Sequence, residues 1–198
     1  MMRTMLNYKT IKALGSALLR TLYRIDIKHT GPIPETGPLI ICSNHIHNFD
    51  PVVVAMGVKR EIRFMAKAEM FSWPVLGYLA KQGRAFPVKR GGADIQAIKQ
   101  AIQILKADEV LGIFPEGTRS KTGEMKELNQ GVVMLAERTG AVILPAAIVG
   151  EYKFRRRVTI VFGSTVALKD LCPGEKFDRT LATINLMQII QALKESVA

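Results

Sequence analysis

The sequence has only two cysteines and three histidines in 198 residues, and each shortage removes a class of function. Cys42 and Cys172 stand far apart without CxxC spacing, so neither a disulfide framework nor a zinc site is indicated, and both read as buried thiols in a reducing compartment. No apolar run reaches the ~18 to 20 residues that cross a bilayer, although 48% of residues are hydrophobic and mean hydropathy is +0.14. The surplus apolar surface is expected to lie on a membrane rather than span it. Arg3, Lys9 and Lys12 interrupt the N-terminal apolar residues before a signal-peptide core of ~7 to 15 residues can form, which predicts a cytoplasmic chain. Aromatic residues are only 7%, and no RNA or DNA motif stands among the basic residues, which argues against nucleic acid. Internal repeats and low-complexity tracts are absent.

Acidic residues are also scarce. With 17 Asp and Glu against 28 Lys and Arg, the net charge is +11, which favours an anionic partner such as anionic lipid or a phosphorylated substrate. The length suits one domain with one core. Residues 8 to 25 show helical periodicity, with Tyr8, Ile11, Leu14, Leu18, Leu19, Leu22 and Ile25 on one side and Lys9, Lys12, Ser16, Arg20 and Arg24 on the other. Such a basic amphipathic helix suits a membrane surface or caps the domain's own core. Residues 1–30 are therefore set apart as a membrane-binding element and 31–198 as the main domain. Beyond a turn-rich stretch holding Gly31, Pro32, Pro34 and Gly37, short apolar runs alternate with longer helical patterns. The expectation is an α/β fold, a single mixed sheet flanked by helices. Strands are predicted at 39–42, 62–66, 84–88, 110–114, 141–148 and 158–162. Helices are predicted at 51–58, 74–82, 94–106, 130–138 and 180–193.

Ser43 to Pro51 joins a predicted strand to a predicted helix. Asp50 before Pro51 reads as a helix N-cap. His45, five residues upstream, lies where a turn brings its imidazole back to that carboxylate, and such a pair moves protons near neutral pH. His45, His47 and Asp50 also read as metal ligands, but His29 is the only other histidine and such sites need more.

Three further stretches carry polar chemistry. Phe114 to Ser120 closes a predicted strand with Glu116, Gly117, Thr118 and Arg119, a set suited to an anion pocket or an ordinary turn. Gly83 to Gly92 runs a short strand into Lys89 and Arg90, a second phosphate clamp or an exposed basic loop. Ala141 to Ile148 reads as a buried strand with Pro145 inside it, and proline belongs at an edge or a bulge.

In this order and spacing the four stretches resemble the four motifs of the PlsC-like glycerolipid acyltransferases, whose members include 1-acylglycerol-3-phosphate acyltransferases. Met65 to Phe71 also resembles a segment found between the first two motifs. The resemblance implies His45 as general base, Asp50 as its orienting partner, Glu116, Gly117, Thr118 and Arg119 at the acceptor site, Arg90 with Lys89 on the acceptor phosphate, and Pro145 on the acyl side. It implies lysophosphatidic acid as acceptor and acyl-CoA or acyl-carrier protein as co-substrate, with no metal and no bound cofactor. The chain would sit on the cytoplasmic face of a membrane. Glycerol 3-phosphate or another lysophospholipid remains open as acceptor, and so does a non-enzymatic lipid-binding module.

Overall fold

The structure is a computed structural model that describes residues 7–89, 94–117, 129–174 and 176–197. Its first helix, α1 (Tyr8–Leu22), starts where the Asn7 side chain accepts the Thr10 amide at 2.9 Å. It stops three residues short of the predicted end. From Arg24 the chain forms strand β1 (Arg24–His29) instead. There Ile25 and Ile27 alternate with Asp26 and Lys28, a two-residue period hidden in sequence by the helical pattern running into it.

The order continues β2 (Leu39–Ser43), α2 (Asp50–Met56), β3 (Ile62–Lys67), a 3₁₀ turn (Ala68–Ser72), α3 (Pro74–Gln82), β4 (Phe86–Val88), α4 (Ile95–Lys106) and β5 (Val110–Ile113). It closes with α5 (Gly131–Thr139), β6 (Val142–Gly150), β7 (Arg157–Phe162), α6 (Leu168–Leu171) and α7 (Arg179–Glu195). β4 is shorter than predicted because Arg84, with φ 58, must first turn the chain out of α3.

The strands form one mixed sheet in the order β1-β7-β6-β2-β5-β3-β4. From β6 to β4 all neighbours are parallel, whereas β7 runs antiparallel to β6 and β1 follows β7. One face is covered by α1 and α2, which bury Leu19, Val53 and Val54 against Ile41, Leu144 and Ile160. The other face is covered by α4, α5 and α7, burying Leu105, Val133 and Leu186 against Ile40, Leu111 and Ile143. Each such Leu, Ile or Val contributes about 1.5 to 3 kcal/mol relative to an exposed position. Among residues 7–30, β1 is a strand of the sheet, and Tyr8 and Leu19 are buried.

Pro145 lies inside an interior strand, so the edge reading does not apply. The bulge reading does. The antiparallel pairing of β6 slips by one residue between Ala146↔Phe162 and Ile143↔Val166, and Pro145 sits in the slip, accepting the Gly163 amide through its carbonyl at 2.8 Å.

Candidate active site

Because β2, β5, β3 and β4 are parallel, their connections leave from one edge of the sheet, the edge where ligands bind in open α/β folds. β2 ends at Ser43. The next side chain, Asn44, is buried and bonds the Ile148 main chain twice, its amide donating to the carbonyl at 2.9 Å and its oxygen accepting the N–H at 2.7 Å. This side chain continues the pairing of β2 with β6 as the backbone departs, and so fixes where His45 begins.

His45 and Asp50 meet as the sequence predicts. Nδ1 lies 2.7 Å from Asp50 Oδ2. The cap reading of Asp50 is corrected: Phe49 occupies the cap position, Asp50 is already helical, and its carboxylate turns back to the connection rather than forward to α2. Oδ2 also accepts the Ile46 amide at 2.6 Å and the His47 amide at 2.7 Å. These bonds wind residues 45 to 50 around the carboxylate, which is 0% exposed. A buried carboxylate is tolerated only when such donors replace water, each charge-assisted bond giving about 1.5 to 3 kcal/mol.

The imidazole is held from other sides as well. Its ring stacks on Phe114 with centroids 4.3 Å apart, and Phe114 stacks on Phe64 at 5.8 Å. Phe64 has room because residue 112 is glycine: a Cβ there would stand 2.2 Å from the Phe64 ring. The His45 main-chain amide donates to Glu116 Oε1 at 3.0 Å. With Asp50 accepting at Nδ1, the ring proton belongs there and Nε2 carries the lone pair.

Tyr152 completes the arrangement and escaped the sequence reading. Its hydroxyl donates to Asp50 Oδ1 at 2.6 Å, from 102 positions away. Burial first, then the Asp50 charge, pushes the phenol above its usual range, which keeps it a donor at physiological pH. Its ring stacks on His47 at 4.3 Å and meets Tyr23 edge-on at 5.3 Å. No local motif marks Tyr152; the β6 strand delivers it.

With this geometry in place the chain can be compared with known proteins. The sequence profile described as Acyltransferase matches residues 24–149, a span that includes Asn44, His45, Asp50 and Glu116. The chain belongs to the acyltransferase family. It is 35% identical over 119 residues to a 1-acyl-sn-glycerol-3-phosphate acyltransferase of Bacillus subtilis, covering 60% of this chain and 59% of the relative. It is 26% identical over 145 residues to a chloroplastic 1-acyl-sn-glycerol-3-phosphate acyltransferase of Arabidopsis thaliana, covering 72% of this chain and 40% of the relative. The aligned stretches thus span about half the length of these curated relatives. The same fold occurs in the crystal structure of the 1-acyl-sn-glycerophosphate acyltransferase PlsC from Thermotoga maritima, with a TM-score of 0.73, 22% identity, and coverage of 94% of this chain and 80% of that one.

The remaining predicted site residues of this acyltransferase chain fall into four groups. Glu116 and Gly117 are beside the dyad: Gly117, at φ 65, donates its amide to the Phe114 carbonyl at 3.2 Å and closes the turn that carries Glu116 to His45. A carboxylate repels a phosphate, so the bond from Glu116 to the His45 main chain points to positioning rather than phosphate binding. Lys89 is exposed just past β4, its amide held by Asp94 Oδ2 at 2.8 Å. It shares the dyad's edge, three strand spacings or about 14 Å from β2. Pro145 is buried on the opposite face from α2, its ring against Gly163 next to Leu193 of α7. Arg90, Thr118 and Arg119 lie outside the described residues. Both cysteines are free and buried; burial raises the Cys42 thiol well above its usual range, which disfavours a thiolate nucleophile.

Proposed function

We propose that this acyltransferase moves a fatty acyl group from acyl-CoA or acyl-carrier protein to the sn-2 hydroxyl of 1-acyl-sn-glycerol 3-phosphate, giving phosphatidic acid at the cytoplasmic face of a membrane. The observation that carries the reading is the 2.7 Å bond between His45 Nδ1 and Asp50 Oδ2. It leaves Nε2 as a base of fixed orientation at the sheet's ligand edge. His45 Nε2 takes the proton of the acceptor hydroxyl as its oxygen bonds to the thioester carbon. The carbon–sulfur bond then breaks, and the imidazolium returns the proton to the departing thiolate. Asp50 holds the ring and stabilises its charged form. The acceptor supplies the nucleophile, so the chain needs none of its own, and no resident metal or organic cofactor enters the scheme. The acceptor phosphate is assigned to Lys89, exposed on the same edge, together with Arg90 and Arg119, which the family resemblance supplies.

The acceptor is tested by offering purified protein and one acyl-CoA a panel of lysophosphatidic acid, glycerol 3-phosphate and a phosphate-free monoacylglycerol, with products identified by mass spectrometry. Lysophosphatidic acid is expected to be used fastest, and Lys89→Ala is expected to raise its KM without affecting the monoacylglycerol. Equal use of the phosphate-free acceptor contradicts the phosphate assignment. No transfer to any acceptor, with anionic vesicles still bound, favours a lipid-binding module instead.

A further inference from the structure

Helix α3 is a helix without an interior. Of its residues only Gly77 is buried, where a Cβ would come within 2.5 Å of the Phe71 carbonyl oxygen, so the helix is pressed onto the preceding 3₁₀ turn along that single line. Around the rest of it Val75 is 70% exposed, and Leu76, Tyr78 and Leu79 are exposed too; Trp73, at its N-terminus, is 61% exposed. A helix of nine residues is marginal in water unless an apolar face is covered, and the described residues do not cover this one.

The neighbouring helix repeats the pattern. α1 touches α3, and its Leu14 and Leu18 are 58% and 52% exposed although they lie in the periodic apolar set. Together the two helices and Trp73, the N-cap of α3, carry seven of the twelve large exposed apolar side chains among the described residues, so the surface is concentrated rather than scattered. The charge on these helices has one sign. Neither Tyr8–Leu22 nor Pro74–Gln82 contains Asp or Glu, while Lys9, Lys12, Arg20 and Lys81 are present. A second copy of a chain with net charge +11 would be repelled, whereas anionic headgroups above acyl chains match both the cations and the apolar face. A tryptophan at such a boundary also suits the interface, where its ring is half in hydrocarbon.

We propose that α3, with Leu14 and Leu18 of α1, docks into an anionic bilayer, so that the membrane contact is a composite surface and not the N-terminal helix alone. The chain enters α3 from β3, which leaves the sheet at the same edge as β2 and β5. Docking there brings the bilayer to the side of the molecule that holds His45. The inference rests on the lipid-acyl-transfer reading for its purpose, but its test requires no turnover.

Trp73 is the only tryptophan in the chain, so selectively excited tryptophan emission reports this surface alone. On vesicles of phosphatidylglycerol and phosphatidylcholine its emission is expected to shift to the blue and to be quenched by lipids brominated on the acyl chain. Val75→Glu with Leu79→Glu is expected to lower vesicle co-sedimentation at least about tenfold with the circular dichroism unchanged. Binding by His45→Ala is expected to match the wild type, which separates failure of the docking proposal from failure of the transfer mechanism. Protein that sediments with vesicles while Trp73 emits as in water overturns the proposal, as does absence of binding. A blue shift that depends on protein concentration without vesicles identifies a second copy as the occupant and overturns it equally.

Discussion

Asp50 takes four donors, three of them on Oδ2 and the Tyr152 hydroxyl on Oδ1. The carboxylate thereby answers two needs at once, shaping the connection through main-chain amides and holding the imidazole. Tyr152→Phe removes one bond yet keeps the ring that stacks on His47, so the fold should survive. We expect kcat to fall about tenfold, the worth of one charge-assisted bond, with KM for the acceptor unchanged. An unchanged kcat would show that Oδ1 needs no donor for catalysis. His45 and Asp50 were legible in the sequence because both belong to one strand-to-helix connection, where a turn can bring them together, and because the order of the four motifs singles the pair out. Tyr152 was not, since its partner is brought from another strand. Glu116 was found through its motif, but its bond with the His45 main-chain amide was not legible, because sequence does not show which main-chain group a carboxylate accepts.

At the scale of elements, β5 and β3 support the site through a relay of rings. Gly112 leaves space for Phe64, Phe64 backs Phe114, and Phe114 backs His45. Gly112→Ala places a methyl group where the Phe64 ring stands. This should cost about 1 to 3 kcal/mol of stability, read from urea unfolding, and should lower acyl transfer in the protein that remains folded. Wild-type stability would mean that Phe64 moves aside freely and that the relay holds nothing. Most strands and helices were readable from period and punctuation. β1 was obscured because two competing periods overlap at residues 22 to 25, and the stronger helical one hid the alternation after it. The proline in β6 was readable as marking an edge or a bulge because a missing N–H has few places to go, whereas the antiparallel pairing with β7 that decides between them was not legible in the sequence.

At the scale of the whole molecule, burial raises three groups among the described residues above their ordinary values, the phenols of Tyr8 and Tyr152 from 10.0 and the Cys42 thiol from 9.0. Each is held neutral in the folded chain, while the unfolded chain ionises at the ordinary value. Their contribution is therefore complete below pH 9 and is lost as the pH rises through 9 to 10 and beyond. The melting temperature is expected to fall across that window, and a melting temperature independent of pH from 8 to 11 would show that these groups are not buried as described. The sheet topology places the dyad, the Glu116 turn and Lys89 on one edge, where His45 is proposed as the base. The most direct measurement is the rate of acyl transfer from acyl-CoA to lysophosphatidic acid by purified His45→Ala, with circular dichroism confirming the fold. A loss of at least about a thousandfold with structure intact is expected if His45 is the base; transfer within a few fold of wild type would rule that role out.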